Sequence, residues 1–377
     1  MKFALRGAAV FDGYITHQKC ALLTQGDCIV SIVPENNIPE DYKSIHLDGG
    51  TIAPGFIDLQ VNGGGGVLLN NAPTVETLNT MAAGHAKFGV TRILPTVISD
   101  KPKVALNAIE SAKQCDKQHS GIIGIHVEGP FFNEEKAGVH QSEKLRVLAE
   151  SDWSWIEQLA ALPSILTLAP EKIDNKDIQR IDELGIRVCA GHTNATYSQV
   201  EEAHKHGLSG FTHLFNAMSQ LQGREPGVVG AALSLSQTWA GLIADGIHAH
   251  PASMLAAIKS KGYEHIFLVS DSMANIGTDK KTFELYGEMI EERDGRLVNS
   301  KGNLAGSAIS LLDAVKYCIN TLQLPAEQAL AMASRVPATF MKLNNRYGTF
   351  KPGFTSDICW LDNDWNCAGV WRAGQKI

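Results

Sequence analysis

The stretch GIIGIHVEGP, residues 121–130, is an apolar run that finishes on His126 and Glu128 before Gly129 and Pro130 break it. A short buried strand with polar residues at its far end is the simplest reading. The same shape recurs along the chain, at residues 51–59, 90–96, 165–168, 186–190, 208–212, 239–244 and 265–270. Between most of these lie amphipathic stretches with helical spacing, such as 75–88 and 197–206. Eight strands alternating with helices predict an α/β fold, a (β/α)8 TIM-like barrel rather than an open doubly wound sheet.

The two ends of the chain read differently. Residues 2–10, 28–33 and 45–47 are strand-like pieces with turn residues between them, and 356–361 and 369–372 repeat the pattern. The expected organisation is a small β-sandwich domain made from residues 1–52 plus 344–377, with the catalytic barrel at 53–343. No Walker loop follows a strand, and no GxGxxG opens a helix.

Composition narrows the partners. Of 377 residues, 44% are hydrophobic and 19% charged, and the formal net charge is -7. An acidic balance argues against nucleic acid and anionic membrane surfaces, which reward basic proteins. A small anionic substrate stays compatible, because one arginine or histidine pair can hold a phosphate locally. Seven cysteines, at 20, 28, 115, 189, 318, 359 and 367, form no CxxC pair or framework. Reduced thiols in a cytoplasmic protein are expected. The opening MKFALRGAAVFDG is too short and interrupted for a signal peptide, and no apolar run approaches a membrane span.

In a barrel of this type the C-terminal strand ends line the active site. Read in order, those ends carry Gln60 and Asn62, His126 and Glu128, His192, His213, Asp245 with His248, and Asp271. Glu128, His192 and His213 make one carboxylate and two imidazoles, three protein donors that leave a position open as catalytic zinc sites do. Such donors suit Zn2+, and Fe2+ or another divalent ion also fits. Asp271 closes the apolar run 266–270 and can serve as general base; capping a following turn is the alternative. Arg224 offers a planar fork suited to phosphate, or a surface ion pair with Glu225. Asn216 could instead cap a helix beginning near Ala217. The glycines at 63–66 read as a flexible loop at the mouth more readily than as an anion nest.

These residues carry a resemblance. Pro54-Gly55-Phe56-Ile57-Asp58 resembles the amidohydrolase superfamily, and within it the chain is similar to the N-acetylglucosamine-6-phosphate deacetylases. The matching motifs are His126-Val127-Glu128-Gly129-Pro130, Gly191-His192-Thr193-Asn194-Ala195, Thr212-His213-Leu214-Phe215-Asn216-Ala217-Met218, Gly223-Arg224-Glu225-Pro226-Gly227, Ala244-Asp245-Gly246-Ile247-His248 and Leu304-Ala305-Gly306-Ser307. The resemblance implies one divalent metal on Glu128, His192 and His213, with Asp271 as acid and base. It implies that His140 polarises the acetyl carbonyl. Val139, His140, Asn216, Ala217, Arg224, His248 and a loop of Leu304, Ala305 and Gly306 would contact an amino sugar phosphate. It also implies a homodimer in which some phosphate-side residues cross between subunits.

One position departs from the wider superfamily. Many members have His-x-His at the end of the first strand and bind a second metal there, whereas this chain has Gln60-Val61-Asn62. Amides are weaker zinc donors than imidazole, so one metal is expected, with Gln60 hydrogen-bonding the attacking water. Three other readings remain open: the galactosamine epimer as substrate, another amidohydrolase activity, and a non-catalytic sugar-phosphate binding protein. The last should have lost a metal donor or the base, and all four are present.

Overall fold

The computed structural model describes residues 2–300, 302 and 304–377. Eight parallel strands stand side by side in chain order: β1 Phe56–Val61, β2 Val90–Ile98, β3 Ile125–Glu128, β4 Ser164–Leu168, β5 Arg187–Ala190, β6 Leu208–Phe211, β7 Trp239–Leu242 and β8 Ile266–Leu268. The outer two meet where Asp271 N–H donates to the Gln60 carbonyl at 3.0 Å and Asn62 N–H to the Ser272 carbonyl at 2.9 Å. Those bonds close the barrel at its C-terminal rim. The expected (β/α)8 architecture is the one the chain adopts.

Alternate side chains on each strand go to opposite sides, as the strand period demands. Ile57 and Leu59, Ile165, Cys189, Phe267 and Val269 form one apolar cluster. Phe56, Leu166 and Leu168, Val188 and Ala190, Ile266 and Leu268 join another that includes the helices. Strand β1 carries one irregularity of consequence. Its pairing with β2 runs Ile93 to Asp58 and then Pro95 to Val61, so β1 holds an extra residue at that step. Such a bulge re-aims a side chain, and here it lets Gln60 reach the rim.

The single strand expected over residues 51–59 is two elements. Thr51–Pro54 belongs to a sheet built from the chain ends, and Phe56–Val61 to the barrel. Gly55 separates them where a Cβ would stand 2.3 Å from the Thr91 side chain. That end-built region contains a four-stranded and a six-stranded sheet, the latter ordering Gln375–Lys376, Cys367–Arg372, Ile358–Leu361, Thr51–Pro54, Ala9–Phe11 and Thr16–His17. Phe3, Leu5, Val10, Leu22, Ile52, Ile358 and Trp371 share its core. Arg92 of β2 ties it to the barrel through a buried two-pronged pair with Asp357, 2.5 and 3.0 Å long.

After β8 comes a feature with no sequence forecast, a four-stranded antiparallel lid of β9 Thr282–Leu285, β10 Glu288–Arg293, β11 Arg296–Val298 and β12 Leu304–Ser307. The segment expected as a loop at Leu304, Ala305 and Gly306 is therefore its last strand. Leu285, Ile290, Leu297 and Ala305 pack with Leu68, Ile98 and Met273 to seat the lid on the rim. Among the described residues no helix is long and apolar enough to cross a membrane.

Candidate active site

At the C-terminal rim a cleft opens. Glu128, Val139, His140, His192, His213, Asn216, Ala217, His248, Asp271, Leu304 and Gly306 line it, joined by Asn62, Gly138, Ile98, Ile243 and Met273. Three anticipated residues, Gln60, Ala305 and Arg224, do not. Ala305 is buried in the lid core, because alternation along β12 turns it away from its neighbours. Arg224 is exposed and stands apart from this cleft. Among the described residues no ion pair joins it to Glu225, whose carboxylate instead accepts from the Tyr197 and Gly227 backbone N–H groups.

The floor holds a tight triangle. His192 Nε2 lies 3.2 Å and His213 Nε2 3.1 Å from Glu128 Oε1, and the two imidazole nitrogens are 3.0 Å apart. His192 Nδ1–H donates to the Lys136 carbonyl at 2.8 Å, which leaves the Nε2 lone pair facing the triangle. Two imidazoles and a carboxylate oxygen brought this close in a buried place are suited to hold a cation. The donor set therefore fits a divalent ion. A ring nitrogen of His140 also falls within 4.8 Å of Glu128 and His192 donors. His213 Nε2 stands nearer to both, and His140 Nδ1 accepts the Ser99 N–H.

Burial pushes the Glu128 carboxyl up, but hydrogen bonds from His192 and His213 outweigh it and hold the group well below the usual carboxylate range. Asp271 goes the other way, pushed up to about 6 by burial and then by the Glu128 charge. Gln60 bridges the two carboxylates, its Nε2 donating to Glu128 Oε2 at 3.2 Å and to Asp271 Oδ1 at 3.1 Å. Asn62 Nδ2 donates to the same Asp271 oxygen at 2.7 Å, so Oδ2 is the free one. Burial keeps the His140 imidazole neutral, well below its ordinary range. His248 is aimed by Asp245, whose carboxylate takes its Nδ1 at 2.6 Å and two backbone N–H groups.

Backbone strain concentrates at this rim. His192, His213, Phe215, Ala217 and Asp271 all have positive φ, at 50, 34, 81, 48 and 49°. Such conformations cost of order 1–3 kcal/mol each and persist where the surroundings fix them, typically at functional sites. Asn216 caps no helix; its Nδ2 donates to the His213 and Leu214 carbonyls and stiffens the turn. His126, at a strand end beside Glu128, is spent lower down. Its Nδ1 donates to the Leu59 carbonyl and its Nε2 meets the Thr167 hydroxyl at 2.7 Å. The sequence reading missed Ser99, which follows β2 as Glu128 closes β3; the polar residue ending an apolar run was its available signal.

Known proteins resemble this chain in sequence and fold. The model of the amidohydrolase family matches residues 51–376. An N-acetylgalactosamine-6-phosphate deacetylase of Shewanella sp. (strain ANA-3) is 41% identical over 338 residues, 89% of this chain and 86% of that one. An N-acetylglucosamine-6-phosphate deacetylase of Haemophilus influenzae is 30% identical, with 98% of both chains covered. The crystal structure of N-acetylglucosamine-6-phosphate deacetylase from Pasteurella multocida superimposes over 100% of both chains with a TM-score of 0.96 at 33% identity. With the metal-competent triangle, the adjoining carboxylate and these likenesses together, the chain belongs to the amidohydrolase family, among its N-acetylhexosamine-6-phosphate deacetylases.

Proposed function

We propose that this protein hydrolyses the acetamide of N-acetyl-D-glucosamine 6-phosphate to D-glucosamine 6-phosphate and acetate. The observation that carries the reading is the convergence of Glu128, His192 and His213 beside Asp271 and His140 in one cleft. Glu128, His192 and His213 would hold one divalent ion, Zn2+ by donor chemistry, which supplies polarisation of the acyl oxygen and of the attacking water. Asp271 Oδ2 takes the proton of that water as its oxygen attacks the acyl carbon. His140 donates from Nε2 to the oxygen that gains charge. When the C–N bond breaks, Asp271 returns its proton to the departing amine. Gln60 fixes Asp271 and Glu128 in register through Nε2 and keeps its side-chain oxygen Oε1 for the water.

His248, Asn216 and the Ala217 backbone are the groups proposed to hold hydroxyls and phosphate, with Val139 and Leu304 against the sugar. Arg224, exposed on its own chain, fits a homodimer in which it serves a neighbouring cleft. Seven free cysteines agree with a cytoplasmic setting.

A second reading, the galactosamine epimer, is favoured by the Shewanella relative. Acetate release measured side by side on the two 6-phosphates, with and without chelator and added zinc, tests both. A kcat/KM higher for the glucosamine substrate supports the proposal, and the reverse order replaces it. Turnover of neither would sink the deacetylase reading.

A further inference from the structure

Ser99 is the residue just past β2 and is buried. Its backbone N–H donates to His140 Nδ1 at 3.2 Å, and its hydroxyl lies 2.8 Å from the same nitrogen. A backbone N–H can only donate, so Nδ1 is the bare nitrogen and the imidazole proton sits on Nε2. That is the tautomer able to donate into the cleft.

The other side of Ser99 is held by the lid. Its carbonyl accepts the Tyr286 hydroxyl at 2.5 Å. Tyr286 and Gly287 form the two-residue turn between β9 and β10, where Leu285 pairs with Glu288. Their φ values are 54 and 80°. Turns with positive φ at both central positions favour Asn, Asp or Gly in the first, and a bulky tyrosine there is strained. Its side chain offsets that strain through what it grips. Lys144 Nζ lies 3.8 Å from the ring centre, and the same ammonium pairs with Asp100 at 3.0 Å. Asn70 braces the preceding residue, accepting from Ile98 N–H at 2.9 Å and donating to the Ile98 carbonyl at 3.0 Å. The lid therefore clasps the short segment whose N–H sets the state of His140.

We propose that Tyr286 is a positioning residue: its grip on the Ser99 carbonyl couples docking of the lid to the orientation and tautomer of His140. A seated lid and a His140 ready to donate to the acyl oxygen are then one event. The inference rests on the role given to His140 above. The test is a double-mutant cycle between Tyr286→Phe, which keeps the ring against Lys144, and His140→Ala. Tyr286→Phe should lower kcat by about tenfold, the scale of one lost hydrogen bond, with KM within about twofold. Placed on His140→Ala it should cost almost nothing further, since its target is gone. Equal losses in both backgrounds, or an unchanged kcat in Tyr286→Phe alone, would overturn the coupling. Near-normal turnover of His140→Ala alone would instead remove the reading on which it rests, so the two failures are distinguishable.

Discussion

At the floor of the cleft Glu128, His192 and His213 are almost wholly buried and lie within 3.0–3.2 Å of one another, with Asp271 tied to Glu128 through Gln60. In the periphery Arg224 stands exposed and apart from the cleft, and Asn216 donates to the carbonyls of its own turn. The contrast follows from desolvation. A charge out of water must find its partners within the same fold, so the floor is complete in one chain. A charge in solvent bears no such obligation and can wait for a ligand or a second copy. The floor should respond to substitution as a unit, and the periphery residue by residue.

The largest effect is expected at Glu128. Glu128→Gln should cut bound metal from about one ion per chain to nearly none and lower acetate release by about a thousandfold or more. Metal analysis beside turnover checks both, and a variant that keeps its ion would detach Glu128 from the triangle. Asp271→Asn should retain metal and substrate while kcat falls by about a hundred- to ten-thousandfold. If affinity falls as far as turnover, Asp271 is a structural tie rather than the base.

The periphery should yield a smaller and more selective loss. Arg224→Ala is expected to raise KM for the phosphorylated sugar by about tenfold or more and to leave an unphosphorylated one nearly unaffected. Equal changes on both substrates would place the guanidinium outside the phosphate site. Mixing sharpens the comparison: if Arg224 serves the neighbouring subunit, Arg224→Ala chains reassociated with Glu128→Gln chains should regain low KM. A mixture that stays impaired would confine both regions to one chain.

The same contrast governs what could be read beforehand. Strand ends were legible because a buried strand must be apolar until the rim, so Glu128, His192, His213 and Asp271 stand out at the stops. The lid was not. Its strands β9 and β10 carry Glu284, Glu288, Glu291, Glu292 and Arg293 on half-exposed faces, and such short polar runs resemble loops. The reach of Gln60 depends on a bulge, which is a property of pairing with β2 and invisible in β1 alone. Ser99 acts through its backbone N–H and carbonyl, atoms every residue possesses. Arg224 carried a recognisable motif, yet no motif states which cleft an exposed side chain will serve.

The smallest effect on turnover, and a distinct one on stability, is expected at Asp58, just beneath the floor. It is fully buried, its Oδ2 has no hydrogen-bond partner among the described residues, and burial outweighs the hydrogen bonds from Ser270 and Gln60 to leave its carboxyl at about 7. Unfolded, it would titrate near 3.8. Between those values the native chain holds a proton that the unfolded chain has released, so stability falls as pH rises across the window and the slope vanishes outside it. Each unit of difference is worth about 1.4 kcal/mol, which makes the total a few kcal/mol. Asp58→Asn mimics the protonated form and should flatten this part of the profile while changing turnover no more than severalfold. Chemical denaturation of the metal-free protein at both ends of the window is the measurement. If the two proteins lose stability in parallel, Asp58 is ionised in the fold and some unseen donor satisfies it.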